Sequence, residues 1–161
     1  MTINFRLPGP TPLPPAVLAA MQRAMIPHRG PGFQALYRSI LARAKEIHRT
    51  DGEVLIWPAS GSAGWEVAVS NLCSPGDPVL AVVIGDFGAR FASVAEAFGL
   101  DVRRLELPWG SAATPELVRN ALEQHPDVKA VLLTHNETST GITNPLRDLA
   151  AVIRDHGALV I

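Results

Sequence analysis

The chain lacks the marks of several common protein classes. It has one cysteine, Cys73, so no disulfide can close within it, which fits a reducing compartment. It has no block of Lys or Arg, and its formal net charge is -1. A nucleic-acid-binding face or an anchor for an anionic membrane needs a positive surplus that is missing here. Apolar runs are short: Val79–Ile84 is among the longest and falls far below a membrane span. Residues Met1–Pro10 do not show the basic and then apolar order of a secretory signal, so a cytoplasmic location is expected. Neither Gly-x-Gly-x-x-Gly nor Gly-Lys-Ser/Thr occurs, which removes the mechanical parts of dinucleotide and P-loop sites.

What is present suits a globular domain. The chain has 161 residues, 47% of them hydrophobic, enough for one core. Residues 7–15 are too rich in proline for helix or central strand and read as an extended arm. Val17, Leu18, Met21 and Met25 share one face of a helix that should end before Pro27. Phe33, Leu36, Tyr37, Ile40, Leu41, Ala44 and Ile47 recur every three or four residues, the mark of an amphipathic helix. From residue 53 the pattern alternates. Strands are expected at 53–57, 79–84, 102–105, 128–133 and 158–161, with helices at 62–73, 87–98, from Thr114-Pro115, and at 145–155. This order predicts an α/β fold, a mainly parallel sheet with helices on both faces. Residues 158–161 read as a strand at the last residue of the chain: either a short edge strand, or a strand cut off by truncation, which is the expectation here.

Ligands of open parallel sheets bind beyond the carboxyl ends of the strands. Three such ends carry polar, glycine-containing loops. Ala59-Ser60-Gly61-Ser62-Ala63-Gly64 opens a helix, where free N–H groups, partial positive charge and two hydroxyls could cradle a phosphate, or form an ordinary helix start. Gly85-Asp86-Phe87-Gly88-Ala89-Arg90 puts a ring at the mouth of the sheet, able to stack on a planar ligand or to serve as the first core residue of its helix. Thr134–Gly141 places seven consecutive polar residues after a buried strand, more than a turn needs. His135 and Glu137 form a His-x-Glu pair, but a zinc deaminase also needs a Pro-Cys-x-x-Cys element, which one cysteine cannot supply. No metal site is expected.

In order along the chain, Pro8-Gly9-Pro10, His28-Arg29, Ser60-Gly61-Ser62, Asn71-Leu72 with Pro75-Gly76-Asp77, Gly85-x-Phe87-Gly88-x-Arg90 and His135-x-Glu137-Thr138-Ser139-Thr140-Gly141 resemble the class V, fold-type I aminotransferases dependent on pyridoxal phosphate, most closely the alanine–glyoxylate and serine–glyoxylate branch. The resemblance covers nearly the whole chain, and Glu137–Gly141 is its most specific word. It implies the large-domain fold of that family, with residues 1–15 as an arm and 16–161 as the N-terminal part of the cofactor domain. It further implies that Ser60, Gly61 and Ser62 bind the cofactor phosphate, that Phe87 stacks on the pyridine ring where many relatives have tryptophan, and that Thr138 hydrogen-bonds the ring's phenolic oxygen. Gly9 would line the substrate entrance. Expected partners are a small amino acid, a 2-oxo acid and a second copy of the chain in a homodimer.

The family also uses an aspartate against the pyridinium nitrogen and a lysine that holds the cofactor. The aspartate would fall just beyond Ile161. The lysines present, Lys45 and Lys129, stand on the amphipathic helix and at a strand start and do not match the expected context. No catalytic residue is therefore assigned, and no transamination is expected from this chain alone. The competing expectation is a non-catalytic α/β domain that binds some other anion at Ser60–Gly64.

Overall fold

A computed structural model describes residues 6–161, in two compact units, up to Pro58 and Ala59–Ile161. The first five residues of the expected arm lie outside the described residues; residues 6–15 are solvent-exposed.

The first unit holds two helices. Helix α1, Pro15–Met21, starts with proline at N1, where a missing N–H costs nothing. The expected stripe reached Met25, but the helix stops four residues earlier and Met25 is 98% exposed. No residue of α1 is buried, so packing adds nothing to extend it, and Pro27 disfavours helical backbone at Ile26. Helix α2, Pro31–His48, also opens on proline, and Lys45 and His48 sit in the last turn, where the dipole favours positive charge. It matches the periodicity closely, and Phe33 stacks on Tyr37 one turn later. Residues 53–57, expected as a strand, form none. Leu55 and Trp57 are exposed, and among the described residues no strand pairs with them. Strand-like composition cannot substitute for a hydrogen-bonded neighbour.

The second unit is built on a four-stranded parallel sheet. In chain order come α3 (Gly61–Leu72), β1 (Pro78–Val83), α4 (Asp86–Ala97), β2 (Asp101–Glu106), α5 (Pro115–Gln124), β3 (Ala130–Leu133), a short β4 (Asn136–Glu137) and β5 (Ile142–Thr143), α6 (Leu146–His156) and β6 (Leu159–Val160). The sheet order is β2-β1-β3-β6, and β4 pairs with β5 as a separate antiparallel hairpin.

Alternation along the two central strands builds two cores. Leu80 and Val82 of the first, Ile84 just after it, and Val131 and Leu133 of the second face Val118 and Leu122 of α5 and Leu149, Val152 and Ile153 of α6. Val79, Ala81 and Val83, with Ala130 and Leu132, face Val69 of α3 and Phe91, Ala92 and Ala95 of α4. Burial on both faces explains why these strands read as continuous apolar runs. Each fully buried Val or Leu contributes about 1.5–3 kcal/mol. The sheet is therefore parallel with helices on both faces, as expected. Strand β2 lies at an edge and is polar. Arg103 pairs with Asp127 and Asp101, and Arg104 makes a two-point pair with Glu96 at 2.9 Å. Helix α6 ends on Gly157 at φ 90°, and the N–H of Ala158 returns to the Ile153 carbonyl, a closure that needs the left-handed region.

Candidate functional site

Strands β1 and β3 are neighbours, yet the helices that follow them, α4 and α6, pack on opposite faces. The winding of the chain reverses between them, which makes the carboxyl ends of this pair the place where open α/β sheets bind ligands. The loops that emerge there are Gly85–Arg90 and Thr134–Gly141.

The Ser60 loop reaches the same neighbourhood through α3. Trp65, in the second turn of α3, meets Phe87 edge-on at 6.1 Å between centroids and stacks on Phe91 at 5.4 Å. The second turn of α3 thus lies against the first two turns of α4. Arg90 holds its guanidinium 5.9 Å from the Trp65 ring centre and 5.6 Å from that of Phe87. An open groove runs along this flank, lined in part by Ser62, Trp65 and Arg90.

Helix α3 begins without a cap. Ser60, at the N-cap in extended backbone, makes no side-chain bond to the helix, and the first turn holds no acidic residue. Among the described residues nothing accepts from the N–H groups of Gly61 and Ser62. The start of this helix therefore keeps its free donors and partial positive charge. Thr114, by contrast, caps α5 by accepting from the Leu117 N–H at 3.3 Å.

Helix α4 is capped from a distant part of the chain. Glu137, at 1% exposure, accepts from the Gly88 N–H at 3.0 Å. Its other oxygen accepts from Ser139, from the N–H at 3.1 Å and the hydroxyl at 2.6 Å. The Ser139 oxygen in turn accepts from the Asp86 N–H at 3.0 Å. Burial acts to raise the Glu137 pKa, but hydrogen bonds from the Ser139 hydroxyl and from the N–H groups of Gly88, Ser139 and Phe87 outweigh it and hold the carboxyl below its ordinary 4.5. The side chain sits so close that a Cβ on Gly85 would stand 2.5 Å from Glu137 Cγ.

A second buried amide ties down the other end of the hairpin. Asn144, 1% exposed, donates to the Thr134 carbonyl and accepts from the Ala113 N–H, both at 2.8 Å.

Of the residues singled out in the sequence, Phe87 and Thr138 are brought together by these bonds, and Ser60, Gly61 and Ser62 sit at the start of the helix whose Trp65 touches Phe87. Phe87 is half-buried and Thr138 exposed, with no side-chain hydrogen bond spent. Thr140 Oγ1 is buried and unpartnered. Gly9 belongs to the first unit and is exposed. His135 is exposed while Glu137 is buried, and the described residues contain no cluster fit to hold a metal. Sequence reasoning missed the hairpin, the cap made by Glu137 and Ser139, Asn144, and the Trp65–Arg90 contact. A faint signal existed: Gly85 and Gly88, small residues at a helix start, leave room for a group from elsewhere.

The family model for class-V aminotransferases matches residues 3–161. The chain belongs to the class-V aminotransferase family. It is 39% identical over 155 residues to an uncharacterized aminotransferase of Methanocaldococcus jannaschii, covering 96% of this chain and 40% of that protein. It is 38% identical over 141 residues to the serine–glyoxylate aminotransferase of Methylorubrum extorquens, covering 86% and 35%. The crystal structure of an alanine–glyoxylate aminotransferase from Nostoc superposes with a TM-score of 0.87 at 35% identity, covering 96% of this chain and 41% of the other. This class-V aminotransferase chain thus spans about 40% of the length of proteins it resembles, and the fold expected from its sequence is the fold of that family.

Proposed function

We propose that the chain forms the phosphate- and ring-binding part of a pyridoxal-phosphate-dependent aminotransferase that moves an amino group between a small amino acid and glyoxylate or pyruvate. The observation that supports this reading is an uncapped helix start on the helix that packs against Phe87, while the loop of Phe87 is hydrogen-bonded to the loop of Thr138.

The residues present fit the cofactor. Free N–H groups on Gly61 and Ser62, with the unspent hydroxyls of Ser60 and Ser62, form a donor set for a phosphate dianion, and no carboxylate in that turn opposes it. Phe87 offers a ring face, and Thr138 a hydroxyl able to donate to a phenolate oxygen. Bound there, the cofactor would supply an electron sink for charge developing on the substrate Cα. The chain's own part is to bind and orient. Lys129 hydrogen-bonds Asp77 and precedes β3, at the amino end of the strands, opposite the Gly85 and Thr134 loops. It is not placed to attach the cofactor. The arm of residues 1–15, with Gly9, belongs in this reading to the substrate entrance of a homodimer with cytoplasmic residence. The glyoxylate and pyruvate acceptors are taken from relatives named serine–glyoxylate aminotransferase and, at 30% identity, pyridoxamine–pyruvate transaminase.

Equilibrium dialysis of the chain against pyridoxal phosphate and against inorganic phosphate tests the reading. Both should bind, pyridoxal phosphate more tightly, and Ser62→Asp should weaken both by about tenfold or more through charge repulsion. No turnover of an amino donor with glyoxylate is expected from this polypeptide alone. Phosphate binding with no added affinity for the pyridine would favour a non-catalytic anion-binding domain instead.

A further inference from the structure

Two hydrogen bonds between the hairpin and α4 have an arrangement that a simple helix cap does not require. Glu137 and Ser139 flank Thr138. Their partners on α4, Gly88 and Asp86, flank Phe87. Each of the two residues assigned to the pyridine ring is therefore bracketed by the same pair of bonds. The Ser139 hydroxyl completes the bracket by donating to Glu137 while accepting from Asp86. The contact is tight on the glycine side: a Cβ at Gly85 would lie 2.6 Å from Ser139 Oγ and 2.7 Å from Glu137 Cδ. A charged, fully enclosed side chain is an expensive way to satisfy one helix start, since burial of a carboxylate must be offset by several donors. Fixing two loops from different strands in one register explains the expense.

We infer that Glu137 is the positioning residue of the ring site, holding Phe87 and Thr138 in a fixed mutual geometry without itself touching the cofactor. The inference rests on the cofactor reading above. It assigns to the carboxylate a role separate from the phosphate cradle, because Ser60, Gly61 and Ser62 share none of its hydrogen bonds. A Glu137→Gln side chain keeps the shape but turns one acceptor oxygen into a donor facing N–H groups, so the bracket should open while the α3 start stays intact.

The test measures binding of pyridoxal phosphate and of inorganic phosphate to the chain by calorimetry, for wild type, E137Q, S139A, F87A and the E137Q/F87A pair, with circular dichroism as a check on folding. Expected is a loss of pyridoxal phosphate affinity on the order of tenfold or more in E137Q, with inorganic phosphate affinity unchanged within about twofold. F87A should cost less affinity in the E137Q background than in wild type, because a ring already out of place has less to lose. A cap of purely structural consequence would lower both affinities together or neither, and would leave F87A additive. Wild-type affinity for pyridoxal phosphate in a folded E137Q overturns the inference. Should E137Q fail to fold, S139A decides: a several-fold loss confined to pyridoxal phosphate supports the bracket, and wild-type binding overturns it. If the wild-type chain binds inorganic phosphate and pyridoxal phosphate equally, the cofactor reading fails first and takes this inference with it.

Discussion

Gly85→Ala isolates the close approach between the two loops. The backbone at Gly85 is extended, φ 167° and ψ -164°, a conformation any residue adopts, so the substitution brings no torsional penalty. The cost is steric. The new methyl would stand 2.5 Å from Glu137 Cγ, 2.6 Å from Ser139 Oγ and 2.7 Å from Glu137 Cδ. Neither neighbour can simply swing aside, since Glu137 is buried and bonded to Gly88 and Ser139. Overpacking of this kind costs about 1–3 kcal/mol, and displacing a buried carboxylate from one charged hydrogen bond adds about 1.5–3. A total of roughly 2.5–6 kcal/mol follows, a large share of the stability of a small domain. Urea unfolding should show the midpoint falling by about 1–6 M with an unchanged slope. Gly64→Ala is the control. It sits inside α3 with open space around the added methyl, and should be neutral or stabilising by up to about 1 kcal/mol. A Gly85→Ala protein within about 0.5 kcal/mol of wild type would refute the claim that Glu137 is locked in place.

Asn144→Ala should destabilise by about 2–4 kcal/mol in the same assay, because it strands the buried Ala113 N–H and the Thr134 carbonyl together. Thr114→Ala removes the one side-chain bond that caps α5 and should cost about 1 kcal/mol, read as a lower thermal midpoint. Acid should weaken the fold in a defined direction. The Arg103 hydrogen bond holds Asp127 down from 3.8 to about 2, and Glu137 is also depressed. For depressed carboxylates, stability is fully present above the unfolded pKa and is lost as pH falls through the folded one, so unfolding midpoints should drop below pH 4.5. E137Q should show a shallower decline than wild type in a pH series of melts.

Most of the second unit was legible before any coordinates, for physical reasons visible in single elements. Strands β1 and β3 are buried on both faces, so six apolar residues in a row at Val79–Ile84 could hardly be surface. Thr114-Pro115 announced its helix start through cap chemistry that is local to the chain. Tertiary partners were not legible. Residues 53–57 have strand composition and no ladder. The stripe on α1 extended in sequence beyond the point where the helix stops. In the site, hydroxyls and glycines marked the three loops because their chemistry is written in residue type. Glu137 was read only as one letter of a polar run. Its function depends on Asp86, Gly88 and Gly85, about fifty residues away, and nothing local in sequence says that a carboxylate will turn inward to meet them.

The polar rung pattern of β2 has a consequence for how this sheet meets other chains. Exposed backbone along an outer strand normally invites lateral addition of a foreign segment. Here an incoming peptide would encounter two guanidinium groups, each already engaged by a carboxylate from the body of the fold, Arg103 by Asp127 and Arg104 by Glu96. Charged side chains on both faces of such a strand disfavour pairing with an apolar segment, and their ion pairs keep those charges fixed in place.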